Sequence, residues 1–462
     1  MLEAPPSTQH IVCQHSRLSN AELFKTRILT SASDLQTLNL GYNNLRQLPN
    51  DFLNANPLLT DVNIRNNKIQ VISSAIFQQN RRLKLIDLSK NYISSISSEA
   101  FATNINLETL HLWGNRLTSL PEGMLRNNRK LRKINLSWNQ LMFLPRNIFK
   151  GLTYLTEIHL LKNNIQCLRQ GNQFPQQSDS YLIIHLGYNN IQVLPDNLFS
   201  RNFELESVRL WANKLKCFPQ TGDQNRSKEI SLSDNKLQLI PVALLHAKTG
   251  TKTIRLNRNN IATIPQNAFW KSQLLQILDL SNNRIREVPE FGFVQNLHLE
   301  DLILDNNAIT ELHPRLLVFN RALRTFSANG NQLTSIPSTF FQYNRNLVEV
   351  RLSDNSIGIT GLPANLFAWN PLLRYVSISG NSITSLPESL FQRTTLLSQV
   401  YLQENQIESV SRRTFETAQA LSDVQLSIEQ LPPPEERAGN VTIIHTVLPY
   451  KDSFKQLPIN SL

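Results

Sequence analysis

The chain has 462 residues, a formal net charge of +11 at pH 7 and a sequence pI of about 9.6. This basic balance favours anionic partners, whether acidic proteins, sulfated glycans or nucleic acid, and indicates nothing about the fold. No apolar run reaches the roughly 18 residues of a membrane-spanning helix, and an odd set of three cysteines, Cys13, Cys167 and Cys217, argues against a disulfide framework.

Residues 1–34 precede the regular part of the sequence and are predicted to be a degenerate N-terminal lead-in or partial cap. Leu18, Leu23 and Leu29 would form a partial coil within it. The first residues show neither the charged region nor the apolar region of a secretory signal.

A single motif with an asparagine at its centre recurs about every 24 residues between residues 35 and 428. One copy reads Leu107-x-x-Leu110-x-Leu112-x-x-Asn115-x-Leu117. About sixteen copies of such a motif predict a solenoid, in which each coil buries its apolar face only against its neighbours. The central asparagines are Asn43, Asn67, Asn91, Asn115, Asn139, Asn163, Asn189, Asn213, Asn235, Asn259, Asn283, Asn307, Asn331, Asn355, Asn381 and Asn405.

The spacing within the motif predicts the structure of one coil. The Leu-x-Leu segment alternates with period two, so it should be a short strand whose leucines point inward. Successive strands should pair in parallel, about 4.8 Å apart. The asparagine lies where the chain leaves the strand. Its amide can satisfy backbone groups of its own coil and of the adjacent coil.

The second half of each coil carries a large apolar residue, usually phenylalanine, which should fill the outer side of the solenoid. An asparagine three residues later, as in Asn80, Asn104 and Asn128, should cap the outer turns. Leu-Pro pairs such as Leu144-Pro145 open the segment, and proline fixes φ and removes a donor. An extended, turn-like or short 3-10 segment is therefore predicted, rather than a full helix.

Three coils and the C-terminus depart from the repeat. A polar, glutamine-rich insertion covers residues 169–180, a shortened polar segment covers 221–228, and two residues are added within 358–361. Insertions in repeat arrays map to loops, which either bind ligands or are tolerated surface variation. Residues 429–462 are predicted to be a proline-rich linker and C-terminal tail.

The repeated phrase over residues 35–428 resembles the typical 24-residue class of leucine-rich repeats. That class is found mainly in Toll-type receptor ectodomains, Slit-like ligands and variable lymphocyte receptors. The segment from Val12-Cys13 to Leu18 is similar to the end of the cysteine-rich cap that those proteins carry. The resemblance implies a horseshoe with a parallel β-sheet on its concave face, and a secreted or cell-surface location.

The outward strand positions would tile this concave face, and aromatic residues and histidines are concentrated in coils four to eight. Large exposed rings are unusual without a partner, and Trp, Tyr and Arg are enriched at binding hot spots. Incidental surface aromatics are the alternative interpretation. The predicted ligand-binding residues are His111, Trp113, Trp138, His159, His185, Tyr188, Arg209 and Trp211.

A second, weaker candidate is a polyanion-binding set at the strand starts, although most basic runs are simply solvated. Its residues are Arg81, Arg82, Lys84, Arg126, Arg129, Lys130, Arg132 and Lys133. His159 and His185 should be adjacent, but two histidines are too few to predict a metal site. No glycine-rich phosphate loop, zinc motif, nucleophile elbow or nucleic-acid-binding module is present, so the sequence predicts no enzyme activity, no cofactor and no nucleic-acid partner.

The sequence therefore predicts a non-catalytic recognition module that binds a protein or glycan on its concave face. Two alternatives stay open. One is an intracellular, cytoplasmic interaction scaffold of the same geometry. The other is a matrix component that binds acidic polysaccharides through its basic edge.

Overall fold

The structure is a computed structural model that describes residues 4–20, 28–168, 174, 182–195, 198, 205–218, 228–247, 250–358, 360–408 and 410–426. It is a solenoid of about 16 turns with very little helix, which confirms the predicted repeat architecture. One parallel sheet of 18 strands follows the chain order, and a second sheet has two strands.

The secondary structure elements are short throughout. The strands are β1 (His10–Val12), β2 (Thr37–Asn39), β3 (Asp61–Asn63), β4 (Val71–Ile72), β5 (Leu85–Asp87), β6 (Ser95–Ile96), β7 (Thr109–His111), β8 (Lys133–Asn135), β9 (Glu157–His159), β10 (Leu182–His185), β11 (Leu205–Arg209), β12 (Glu229–Ser231), β13 (Thr253–Arg255), β14 (Ile277–Asp279), β15 (Asp301–Ile303), β16 (Thr325–Ser327), β17 (Glu349–Arg351), β18 (Tyr375–Ser377), β19 (Gln399–Tyr401) and β20 (Asp423–Gln425). The helices with bounds inside the described residues are α1 (Ile28–Ser31), α2 (Val242–Ala247) and one 3-10 turn, Arg412–Thr414. Within the described residues, neither helix has the length and apolar character needed to cross a membrane.

Period-two alternation fixes which side chains of the large sheet face the core. In β7, for example, Leu110 is fully buried between Ile86 of β5 and Ile134 of β8, its partners in the sheet register. The residues on either side of it, Thr109 and His111, are half exposed on the open face. A typical three-residue strand of the large sheet therefore contributes one apolar residue to the continuous core and two side chains to the open face.

The central asparagines form the ladder that the sequence predicts. In one rung, Nδ2 of Asn115 donates to the carbonyl oxygens of Leu88, at 3.0 Å, and Leu112, at 2.9 Å. Its Oδ1 accepts a hydrogen bond from the backbone N–H of Ile93, at 3.0 Å. Each amide thus satisfies buried backbone groups in two adjacent coils, which explains why asparagine recurs at this position.

Replacing Asn139 with alanine should lower the free energy of unfolding by about 1–3 kcal/mol. Its Nδ2 donates to the carbonyl oxygens of Leu112 and Leu136, both at 3.0 Å, and its Oδ1 accepts from Leu117 N–H at 3.0 Å. Alanine leaves the buried Leu117 N–H without this acceptor, whereas the two carbonyl oxygens each keep the donor of a neighbouring ladder asparagine. Urea denaturation followed by circular dichroism measures the change. The neighbouring, exposed Gln140 is the control, and equal stabilities of Asn139→Ala and Gln140→Ala would contradict the assignment.

The residue before each ladder asparagine has a left-handed backbone, with φ between 50° and 69° at every coil from Tyr42 to Glu404. Only three of these positions are glycine: Gly114, Gly330 and Gly380. A left-handed φ is costly for other residue types, so the surrounding ladder must impose it. The turn directs the chain away from the sheet and leaves this side chain at the edge of the sheet.

The outer side of the solenoid explains why the sheet lies on the concave face. Parallel strands are about 4.8 Å apart, whereas neighbouring rings of the buried phenylalanine file are separated by 5.4–6.0 Å between centroids. The stack must therefore curve toward the sheet. The outer asparagines reinforce this side, since Asn104 Nδ2 donates to the carbonyl oxygens of Phe77 and Asn80 at 3.0 and 2.9 Å.

The two ends and the insertions are described only in part. The strand β1 pairs in parallel with β2, so the sheet begins at His10, within the segment predicted to be a lead-in. The predicted division at residues 34 and 428 stays a prediction, and residues 427–462 lie outside the described part of the chain. The insertion at 169–180, apart from Phe174, and residues 221–227 lie outside it too.

Candidate ligand-binding face

The strands β7 to β11 place the predicted histidines and Arg209 in one row across the concave face. Sheet register pairs His111 with Asn135, Asn135 with His159, His159 with His185, and His185 with Arg209. All five side chains are half exposed on the open face of the sheet. The predicted outward register is therefore the observed one.

The two central histidines of this row contact each other. Nδ1 of His159 and Nδ1 of His185 lie 3.1 Å apart, and the rings meet edge to face with centroids separated by 4.6 Å. The other nitrogen of His159 lies 3.1 Å from Oε2 of Glu157. The imidazoles thus bond to each other instead of converging on one point. The part of the chain that the structure describes has no group of three or more His, Cys, Asp or Glu side chains able to hold a metal ion.

The environment of the row keeps two of its histidines neutral. Burial, together with the neighbouring His159 and Arg209, lowers the pKa of His185 to about 3. Burial also lowers the pKa of His111, against the opposing effect of Asp87. The ordinary histidine pKa near 6.5 therefore does not apply to these two groups, because their shielding by neighbouring coils cannot be read from the sequence.

The neutral state of His185 should make stability depend on pH. An unfolded histidine takes up a proton near pH 6.5, whereas folded His185 does so only near pH 3. Between these values the unfolded chain binds more protons, so the free energy of unfolding falls as pH decreases. We expect the wild type to lose more free energy of unfolding than His185→Asn when the pH is lowered from 7.5 to 4, as measured by urea denaturation. A difference that stays constant over this range would count against a neutral His185.

Arg209 belongs to a charged cluster at the end of the histidine row. Its Nε and its terminal nitrogen lie 3.1 and 3.0 Å from Oε2 of Glu229. Arg255 approaches the other carboxylate oxygen of Glu229 at 2.5 Å. One carboxylate therefore holds two guanidinium groups in place on the open face, which leaves a net positive charge here.

The tryptophans lie beside the histidine row, and neighbouring side chains hold each of them. Trp113 lies between two cations, with Arg65 5.1 Å and Lys90 4.9 Å from its ring centroid. Arg65 reaches this ring from two coils away, because Ser89 at the intervening position is small and fully buried. Such cation–π contacts fix the ring while leaving it on the surface.

Trp211 and Tyr188 form the other aromatic pair. Their rings meet edge to face, with centroids 4.7 Å apart. The indole of Trp211 lies over Gly187, where an added Cβ would approach its ring atoms to 3.0 and 3.1 Å. Because glycine has no side chain, the indole can pack directly against the sheet at this position.

Trp138 and Tyr188 stand at the left-handed edge positions, with φ values of 54° and 50°. Their side chains are 51% and 44% exposed, which makes them the most exposed rings of the predicted site. Lys162 occupies the same position in the intervening coil, and its ammonium lies 3.8 Å from the Trp138 ring centroid and 5.1 Å from that of Tyr188. The lysine links the two rings into one surface.

Sequence reasoning identified the rings but missed the residues that hold them: Arg65, Lys90, Lys162 and Gly187. A signal for three of them was present. Arg65 occupies the repeat position of Trp113, and Lys90 and Lys162 occupy the position of Trp138, in neighbouring coils. Aligning every outward position, and not only the aromatic ones, would have revealed these contacts.

The predicted polyanion-binding residues lie at the opposite ends of the strands, and all eight are exposed. Several of them have partners. Arg126 forms an ion pair with Glu99 at 2.8 Å, Lys133 forms one with Glu157 at 2.6 Å, and Lys130 Nζ donates to Asn106 at 2.7 Å. These contacts partly neutralise the set.

Comparison with known proteins agrees with this geometry. A family model described as a BspA-type leucine-rich repeat region matches residues 24–132, 46–174, 118–221 and 319–432. A second model, described as leucine-rich repeat, matches residues 226–285 and 273–333. No curated protein sequence matches the chain.

Solved structures with the same fold come from different kingdoms. A leucine-rich repeat protein of Leptospira interrogans is 23% identical, with a TM-score of 0.68 over 93% of this chain and 100% of that one. Toll of Drosophila, solved in complex with Spätzle, is 24% identical, with a TM-score of 0.58 over 86% of this chain and 47% of that one. The plant peptide hormone receptor RGFR1, in complex with RGF2, is 19% identical, with a TM-score of 0.50 over 86% of this chain and 76% of that one. The repeat motif, the asparagine ladder and the two family models all lead to the same assignment: the chain belongs to the leucine-rich repeat family.

Proposed function

We propose that this chain is a non-catalytic recognition module that binds a protein ligand on the concave face of coils four to eight. The binding surface, here called the aromatic–histidine patch, consists of His111, Trp113, Trp138, His159, His185, Tyr188, Arg209 and Trp211. The observation that carries the proposal is that three of the five tryptophans of the chain lie on this surface, each held by a neighbouring side chain.

The physical reason is preorganisation. Rings that are already fixed by Arg65, Lys90, Lys162 and Gly187 lose little conformational entropy when a ligand covers them. Trp, Tyr and Arg are also the residue types that contribute most at hot spots. Toll in complex with Spätzle and the plant receptor in complex with RGF2 support a protein ligand by analogy of fold.

We further propose that the module works outside the cell, as an ectodomain or secreted protein. The similarity to Toll and to the plant receptor supports this location, while the Leptospira protein shows that the fold also occurs in bacteria. An intracellular scaffold of the same geometry is the alternative. Appearance of the full-length protein in the culture medium or on the cell surface would separate the two.

Hydroxyl-radical footprinting with a captured partner tests the proposed surface, because tryptophans lie on both the concave and the outer side of the solenoid and are readily oxidised where they are accessible. Trp113, Trp138 and Trp211 lie on or beside the concave face, whereas Trp270 and Trp369 lie in outer segments and are 40% and 46% exposed. Partner binding should lower the oxidation rate of the first three and leave the other two unchanged. Protection confined to Trp270 or Trp369 would place the interface on the outer side and refute the proposal.

A further inference from the structure

A groove of about 350 Å³ lies on the edge of the solenoid next to the aromatic–histidine patch, where the coils of β2 to β7 leave the sheet. Its lining includes Asn44, Asn66, Lys68, Lys90, Tyr92 and Gly114. It is called the edge groove below. Its floor is rigid, because the ladder amides of Asn43, Asn67 and Asn91, which also line it, are bonded to the backbone.

The groups that face the edge groove are available to a ligand. Among the described residues, the side-chain amides of Asn44 and Asn66 make no hydrogen bond. No carboxylate among the described residues lies within ion-pair distance of the ammonium group of Lys68 or Lys90. Tyr92 is 41% exposed, and Arg116 lies 4.2 Å from its ring centroid. The groove thus combines cations, amides and an aromatic ring.

Several basic residues elsewhere on the molecule are neutralised by ion pairs. Arg126, Lys133 and Arg209 each pair with a glutamate. Among the described residues, the side chains of Lys90 and Arg116 have aromatic rings as their partners. Since a cation–π contact leaves the charge uncompensated, the positive field over the groove is open to an anion.

Gly114 enlarges the groove at its far end. It stands at the left-handed edge position, with φ +69°, between the coils of Lys90 and Trp138, which carry long side chains there. A Cβ on this glycine would contact Lys90 atoms at 3.4 and 3.5 Å. The missing side chain leaves a slot between the lysine and the exposed indole, into which a flat ring can fit.

We propose that the edge groove binds an acidic polysaccharide, a linear chain of sugar units that carry carboxylate or sulfate groups. Lys68, Lys90 and Arg116 would bind the anionic groups, Asn44 and Asn66 the hydroxyls, and Tyr92 and Trp138 the apolar faces of the sugar rings. This site shares Trp138 with the aromatic–histidine patch, and Lys90 also contacts Trp113. Its ligand class does not depend on the function proposed for that patch.

Spacing favours a polysaccharide over an acidic peptide. Lys68 and Arg116 directly follow the ladder asparagine in the first and third of three consecutive coils, and Lys90 precedes it in the coil between them. Because coils are about 5 Å apart, the cations lie along the groove at intervals that suit a polymer charged at every sugar unit or every second one. Side chains on one face of an extended peptide recur at about 6.6 Å, so an extended acidic peptide would drift out of register within a few coils. Exposed aromatic rings can also stack on the apolar faces of sugar rings, which acidic side chains do not have.

Binding of the full chain to four immobilised polymers tests the proposal: heparin, polygalacturonate, neutral dextran and polyglutamate. We expect binding to heparin or polygalacturonate, none to dextran, and weak binding to polyglutamate. In Lys68→Gln/Lys90→Gln the affinity for the acidic polysaccharide should fall by about tenfold or more, because two charge-assisted hydrogen bonds are lost. Filling the slot with Gly114→Leu should weaken binding without any change in charge.

The matched control is Arg146→Gln/Lys150→Gln, which removes the same charge from an exposed outer segment. It should change the affinity by less than about threefold, and thermal melts should confirm that all variants fold. Equal losses in the control and in Lys68→Gln/Lys90→Gln would indicate a general charge effect and overturn the site. Failure to bind either acidic polysaccharide would overturn it too, as would polyglutamate binding that is at least as tight and equally sensitive to Lys68→Gln/Lys90→Gln.

Discussion

Replacing Phe341 with alanine should lower the free energy of unfolding by about 3–5 kcal/mol. The ring is fully buried in the outer file, and its centroid lies 5.5, 4.8 and 6.0 Å from those of Phe326, Phe340 and Phe367. A solenoid coil has no core of its own, so a cavity here weakens the interfaces to both neighbouring coils. Chemical denaturation monitored by circular dichroism measures the loss.

The control for this prediction is Phe319, which lies in the preceding outer segment but is 47% exposed. Phe319→Ala should cost less than about 1 kcal/mol, because little apolar surface is buried there. If both variants lost the same stability, the outer phenylalanine file would not be the structural element described above.

The second large effect concerns binding. Trp113→Ala and Trp211→Ala should each weaken the affinity for the protein ligand by about 2 kcal/mol or more, which is roughly 30-fold. Both rings are already held on the concave face, by Arg65 and Lys90 in one case and over Gly187 in the other. Isothermal titration with the captured partner gives the change directly. Neither substitution opens a cavity in the leucine core, so the melting temperatures should stay close to that of the wild type.

Gly187→Val offers an independent check on Trp211, because it keeps the indole but displaces it. The new side chain would start 3.0 Å from the indole and 3.2 Å from Leu161 Cδ1, so the ring must move. We expect a loss of affinity comparable to that of Trp211→Ala. Wild-type affinity in Gly187→Val would show that the position of this ring is not important for binding.

Much of the fold follows from the sequence because each copy of the repeat carries the pattern that determines the geometry of its coil. The asparagine period predicts the ladder, and the Leu-x-Leu alternation predicts which residues of β7 to β11 face outward. Both are local patterns that recur in about sixteen copies, so an ambiguous assignment in one coil is resolved by the register of the others. The left-handed φ before each ladder asparagine is less visible, because residues as different as Tyr42, Lys90 and Trp138 adopt it.

The properties of the site depend on contacts between coils, and these are harder to predict. The pKa of His185 falls because β9 and β11 bury it and place His159 and Arg209 beside it. Arg65 reaches Trp113 only because Ser89 between them is small. The edge groove widens at its far end because one side chain is missing, at Gly114. In each case the determining residue lies in another coil, so the effect depends on three-dimensional neighbours and not on the repeat pattern.

The most direct test of the central claim is to compare the affinities of two double variants for the same captured protein partner. Trp113→Ala/Trp211→Ala removes two rings from the concave face, whereas Trp270→Ala/Trp369→Ala removes two exposed rings from the outer segments. Recognition by the aromatic–histidine patch predicts a loss of at least about 100-fold in the first variant and less than about threefold in the second. Full affinity in the first variant, or a larger loss in the second, would contradict it.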